Sequence, residues 1–154
     1  MTTIPEFQVT EKCSRCKGTC CKTMGCHFSP DDFKEISFES LKAEIEKGFI
    51  SIDWWEGAEP EYFLRMRNKF QPIVDPSWGG ECILLTPNGC PLPFEKRPLG
   101  ARALEPKSTR QGCVQHYSKK QCKDDWKKYN DILVQLVEYF RKVDEEICRT
   151  TINY

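Results

Sequence analysis

Nowhere in this chain do apolar residues run on for the roughly eighteen positions that a membrane-spanning helix needs. The start, MTTIPEFQVTEKC, has no basic segment leading into an apolar stretch and no small-residue cleavage pattern, so no export signal is read there. Neither sign of charge is in excess, because 23 lysines and arginines meet 23 aspartates and glutamates. Nucleic acid or an acidic membrane would therefore find no whole-chain field and would need a local patch. Also missing are a glycine-rich nucleotide fingerprint, the C-x3-C-x2-C pattern of radical enzymes, and a paired-carboxylate or Ser/His/Asp arrangement. These absences lead to the expectation of a cytoplasmic chain with no membrane and no nucleic-acid partner, and they lean against an enzyme.

What the chain has is sulfur. Ten cysteines stand among 154 residues. Cys13, Cys16, Cys20, Cys21 and Cys26 form one group, Cys82 and Cys90 a second, and Cys113 and Cys122 a third, with Cys148 apart. Disulfides, metal-bound thiolates and a redox or nucleophilic thiol are the competing chemistries. In a reducing compartment the balance moves from disulfides toward metal. Metal favours the thiolate directly, and Lys12, Arg15, Lys17 and Lys22 are placed to offset several negative sulfurs. Gly18 and Gly25 let the backbone turn tightly around them. Zinc and iron–sulfur sites commonly take four ligands, so the first group needs the remote cysteines to complete it. Cys148, near the end of a helical pattern, reads as a small apolar core residue. His27 and His116 are nitrogen candidates beside sulfur, and a hydrogen-bonding or surface role is the plainer reading of each.

The remaining pattern suggests an α+β fold: a small cysteine-rich metal-binding domain with a short antiparallel sheet and a long C-terminal amphipathic helix, forming a single domain over 1–154. The metal-binding segments would span about 13–122. SPDDFKEI reads as a helix start, with Ser29 as cap and Pro30 in the first turn, and a second helix spans Phe38 to Lys47 before Gly48. FISIDWW, EYFLRMR, PIV and CILL read as strands. In EYFLRMR, Tyr62, Leu64 and Met66 share one face while Phe63, Arg65 and Arg67 share the other. TPNG marks a turn that would bring Cys82 toward Cys90, and Pro91 to Gln111 reads as an ordered loop. Ser118 and Gln121 form a capping box for a helix over about 118–148, with Trp126, Leu133, Val137 and Phe140 on its apolar stripe. Trp54 and Trp55 are expected in the core rather than stacked on a ligand.

CSRCKGTCC, CILLTPNGC and RPLGARALEP together resemble the YkgJ-type cysteine-cluster family, described as a zinc- or iron-chelating domain. The resemblance takes a C-x2-C-x3-C-C opening, a later cysteine pair around a turn, and an Arg-Pro element as the family pattern. It implies Cys16, Cys20, Cys21, Cys82 and Cys90 as ligands, with Arg97, Pro98 and Arg102 as a supporting element. Cys26, Cys13, Cys113 and Cys122 are further metal candidates. Ala101 stands where the family commonly has another cysteine, so Cys113 or Cys122 would replace it or one centre would be lost. The implied cofactor is zinc or iron, including an iron–sulfur cluster. The implied role is a cysteine-thiolate metal-binding protein. The alternatives are a metal-dependent redox or group-transfer enzyme, similar in its cluster to flagellin lysine methylases, and a metal-stabilised module with a protein partner.

Overall fold

The computed structural model describes residues 4–6, 26–75, 82–84, 92–106 and 113–152. Its centre is a hairpin of β1 (Ile50–Trp55) and β2 (Glu61–Met66), paired antiparallel from Ile50↔Met66 to Trp55↔Glu61. Branched and aromatic residues in ISIDWW and EYFLRM suit a pleated surface, and the exposed loop 56–60 carries Gly57 and Pro60 between them. Two short pieces widen the sheet. Residues 26–28 run along β2, with Phe28 N donating to Leu64 O and Met66 N to Cys26 O, both at 2.9 Å. On β1, Val74 bridges Ile52 in parallel. Past the end of β2, Cys82 bridges Asn68. Among the described residues, PIV and the start of CILL thus contribute isolated bridges rather than full strands.

SPDDFKEI forms only a three-residue 3-10 turn, Pro30–Asp32, although Ser29 caps it as expected and closes a capping box with Asp32. The turn ends because Phe33 is extended, and the Asp32 carboxylate is engaged by a remote segment. Helix α1 (Phe38–Glu46) begins behind Ser37, whose hydroxyl accepts from Ser40 N at 3.1 Å. It buries Leu41 and Ile45, one turn apart, and Gly48 leaves the helix at φ +96°, where a side chain would be strained.

The expected loop 91–111 is more structured than its proline and glycine content suggests. It contains a 3-10 turn (Phe94–Lys96), a short helix α2 (Leu99–Arg102) and strand β3 (Leu104–Pro106). β3 pairs antiparallel with β4 (Cys113–Gln115) in a second two-stranded sheet. The expected long C-terminal helix is present, running as α3 (Lys119–Trp126), a 3-10 turn (Lys127–Tyr129) and α4 (Asn130–Ile152). At the junction Asn130 turns its side-chain carbonyl to the sheet edge and accepts from Tyr62 N at 3.2 Å. Ser118 caps α3 as expected, accepting from Gln121 N at 3.1 Å. Trp126, Leu133, Leu136, Val137 and Phe140 are buried with Leu41, Ile45, Ile52, Phe63 and Leu64 in one apolar core. No helix among the described residues is long and apolar enough to cross a membrane.

Candidate metal centre

Cys26 and Cys82 belong to segments distant in sequence, and the sheet draws both to the Met66 end of β2. Met66 N holds the Cys26 carbonyl, and two-residue alternation puts Cys26 and Phe28 on the Met66 face. Cys82 is 3% exposed and packs against Met66, with Phe28 and Leu84 beside them. Ile83 N donates to Arg67 O at 2.8 Å and fixes the Cys82 segment to the chain leaving β2. Cys82 is thus buried in an apolar surround at the strand end where the half-buried Cys26 is held through its backbone. That donor chemistry fits a soft thiolate-binding metal such as zinc or iron. Among the described residues, no three His, Cys, Asp or Glu side chains form a metal-binding group. Cys13, Cys16, Cys20, Cys21 and Cys90 lie outside the described residues, as do the TPNG turn and the side chains of Cys113 and Cys148.

The same alternation sends His27 to the opposite face, where it bridges Arg65 rather than accompanying Cys26. The residue is 4% exposed, its ring meets Phe63 edge-on at 5.4 Å, and neither ring nitrogen has a hydrogen-bond partner among the described residues. Burial, then the positive charges of Lys119 and Arg65, push its pKa down to about 4, so the imidazole is neutral near pH 7. His116, half-buried, donates its backbone N–H to Ala103 O at 3.1 Å.

Around His27 the face is ionic. Arg65 is wholly buried, its Nε 3.0 Å from Asp53 Oδ2 and its Nη2 2.8 Å from Asp75 Oδ2. Nη2 also donates to Asp75 O at 2.8 Å, and Nη1 donates to Met66 O at 3.0 Å. Asp53 accepts from Trp54 N at 2.6 Å. Its pKa is nevertheless raised, because burial outweighs the attraction of Arg65. Reasoning from sequence missed this network. The signal was a charged residue, Arg65, inside the strongest strand pattern of the chain.

Cys122 is fully buried, its Sγ 3.3 Å from Phe28 O. Burial pushes its pKa far up, so this thiol keeps its proton. Phe28 O also accepts from Trp126 Nε1 at 2.8 Å, which pins α3 to the strand that follows Cys26. Trp54 is half-buried against Tyr62, with the Arg141 guanidinium 5.8 Å from its ring. Trp55 is 38% exposed, and the Lys119 and Lys123 ammonium groups lie 5.9 and 5.6 Å from its ring. The core expectation therefore fits Trp54 better than Trp55.

Arg97 and Arg102 support backbone and carboxylates in this structure. Arg97 Nε donates to Leu92 O at 3.0 Å, and Arg102 Nη1 donates to Arg97 O at 3.1 Å. Arg102 also pairs with Asp32 at 3.0 Å and with Glu6 at 2.6 Å. Ala101 sits half-buried in α2. β4 is tied to the same helix, since Gln115 Nε2 donates to Gly100 O at 2.9 Å.

A family model named CxxCxxCC, with the description "Putative zinc- or iron-chelating domain", matches residues 12–149. The match extends through α3 and almost all of α4, farther than the motifs in CSRCKGTCC to RPLGARALEP alone. The name writes two residues between the second and third cysteines. This chain has three, Lys17 to Thr19, so its opening is one residue longer than the name's. No curated protein and no solved structure matches the chain.

Proposed function

Because this chain belongs to the CxxCxxCC family of zinc- or iron-chelating domains, we propose that its cysteine thiolates hold zinc or iron at the Met66 end of β2 and that the metal ties the N-terminal cysteine knuckle to the sheet. The observation that carries this reading is the arrival of Cys26 and Cys82 on one face of one strand end. Cys21 lies five residues from Cys26 along the chain, a reach of at most about 18 Å. The proposed ligands are Cys13, Cys16, Cys20, Cys21, Cys26, Cys82 and Cys90. Cys113 is the candidate to stand in for Ala101, because β4 is bonded to α2. Cys122 is left out on geometry, since its thiol is fully buried in the apolar core against Phe28 O.

When bound, the metal would supply a cation that makes several thiolates stable at neutral pH and joins segments the hairpin alone does not join. The chain's own contribution is to present sulfur from rigid backbone and to keep water away with Met66, Phe28 and Leu84. Binding energy is then also folding energy.

The test is metal content and thermal melting of Cys16→Ser, Cys20→Ser and Cys82→Ser, purified without oxygen. Loss of metal together with a lower melting temperature in each variant supports the site. Full metal retention with unchanged melting in all three overturns it.

A further inference from the structure

Helix α2 starts behind Pro98, which has no side-chain acceptor to cap it. The missing cap comes from a distant segment: Asp32 Oδ2 accepts from Leu99 N at 2.9 Å. The same oxygen accepts from Ser29 N at 2.9 Å, closing the capping box, while Asp32 Oδ1 pairs with Arg102 Nη2 at 3.0 Å. With 7% of its side chain exposed, this carboxylate is fully engaged in joining α2 to the residues that follow Cys26.

The next residue of α2 but one from the cap makes a second join. Gly100 N donates to His27 O at 2.9 Å. The backbones approach so closely that a Cβ at Gly100 would lie 2.7 Å from His27 N and 2.8 Å from His27 O. Residues 26–28 are therefore gripped from two directions, by β2 through Met66 N and Leu64 O and by α2 through Gly100. An added methyl at Gly100 has backbone, not a flexible side chain, to push against, and the backbone it meets is the one that carries Cys26.

We infer that Asp32 and Gly100 are positioning residues of the metal centre: they clamp α2 onto the strand bearing Cys26 and so set where its sulfur is presented. This rests on Cys26 being a ligand, as proposed above. Ligand placement set by outer groups commonly changes metal affinity by about 10–100-fold.

Full-length, oxygen-free protein stripped of metal is titrated with Co2+, whose thiolate charge-transfer and d–d bands report the ligand set. Wild type, Gly100→Ala, Asp32→Asn, Cys26→Ser and the core variant Ile45→Ala are compared well below the lowest melting temperature. Ile45 is buried in α1 and makes no part of the clamp. We expect Gly100→Ala and Asp32→Asn to bind Co2+ about 10–100-fold more weakly with shifted d–d bands. Ile45→Ala should lower melting yet keep wild-type affinity and spectrum. Asp32→Asn preserves shape and carries the test should Gly100→Ala not fold. Wild-type affinity and bands in the folded clamp variants overturn the inference, as does an equal loss in Ile45→Ala. Absence of thiolate bands in wild type, or no effect of Cys26→Ser, instead overturns the ligation reading on which the inference depends.

Discussion

On one face of the β1–β2 hairpin, Ile50, Ile52, Tyr62, Leu64 and Met66 pack as hydrocarbon, and Cys82 joins them at the Met66 end. On the other, Ser51, Asp53 and Arg65 are just as withdrawn from water, with His27 alongside. The first face is stabilised by area removed from water and tolerates exchange of one hydrocarbon for another of similar volume. The second is stable only while its charges satisfy one another, since a buried charge left without its partner is far costlier than the pair is favourable. One sheet thus carries a forgiving hydrocarbon face that ends at Cys82 and a rigid ionic brace on an exacting one.

The largest effect should come from breaking the exacting face. Arg65→Met strands Asp53 and Asp75, and should lower unfolding free energy by about 3–5 kcal/mol in urea titration. Adding Asp53→Leu to it should restore more than half of that loss. If the double variant is no better than the single, the burden is packing rather than unpaired charge. On the forgiving face, Leu64→Ala should cost about 3 kcal/mol through the cavity it leaves, and Leu64→Met about 1 kcal/mol or less. Equal losses for Leu64→Met and Arg65→Met would erase the distinction between the faces.

His27 gives the same comparison a pH axis. Arg65 on β2 and Lys119 on α3 face it as cations, with Asp53 on β1 within the same cluster, and its folded pKa of about 4 lies below the ordinary 6.5. The unfolded chain therefore takes up this proton first as pH falls. Stability contributed by the neutral ring is present above about pH 6.5 and is lost between 6.5 and 4, to about 3 kcal/mol. The difference in urea midpoint between wild type and His27→Gln should change across that window and level off below it. A difference that stays flat from pH 7 to 4 would show that the ring is not held neutral. The smallest effect is Ser51→Ala, which removes the 3.2 Å bond to Pro72 O and should cost about 1 kcal/mol.

The two faces also differ in how legible they were. Alternation in EYFLRMR correctly separated Tyr62, Leu64 and Met66 from Phe63 and Arg65, because a period of two is a local property of the backbone. That Arg65 is buried was not legible, since its partners Asp53 and Asp75 come from other segments and no local pattern announces them. The caps at Ser29 and Ser118 were readable for the same local reason. The fate of the Ser29 turn was not, because Asp32 is drawn away by Leu99 and Arg102. In the candidate site, cysteine spacing pointed to the ligand chemistry, while the placement of Cys26 with Cys82 and the retreat of Cys122 into the core depend on tertiary packing.

The most direct measurement is elemental analysis for zinc and iron, together with a free-thiol count, on freshly isolated protein kept from oxygen. Stoichiometric zinc or iron, released in step with thiols becoming reactive, is the expected result. Protein that is folded yet metal-free, or whose cysteines are already joined as disulfides, would contradict it.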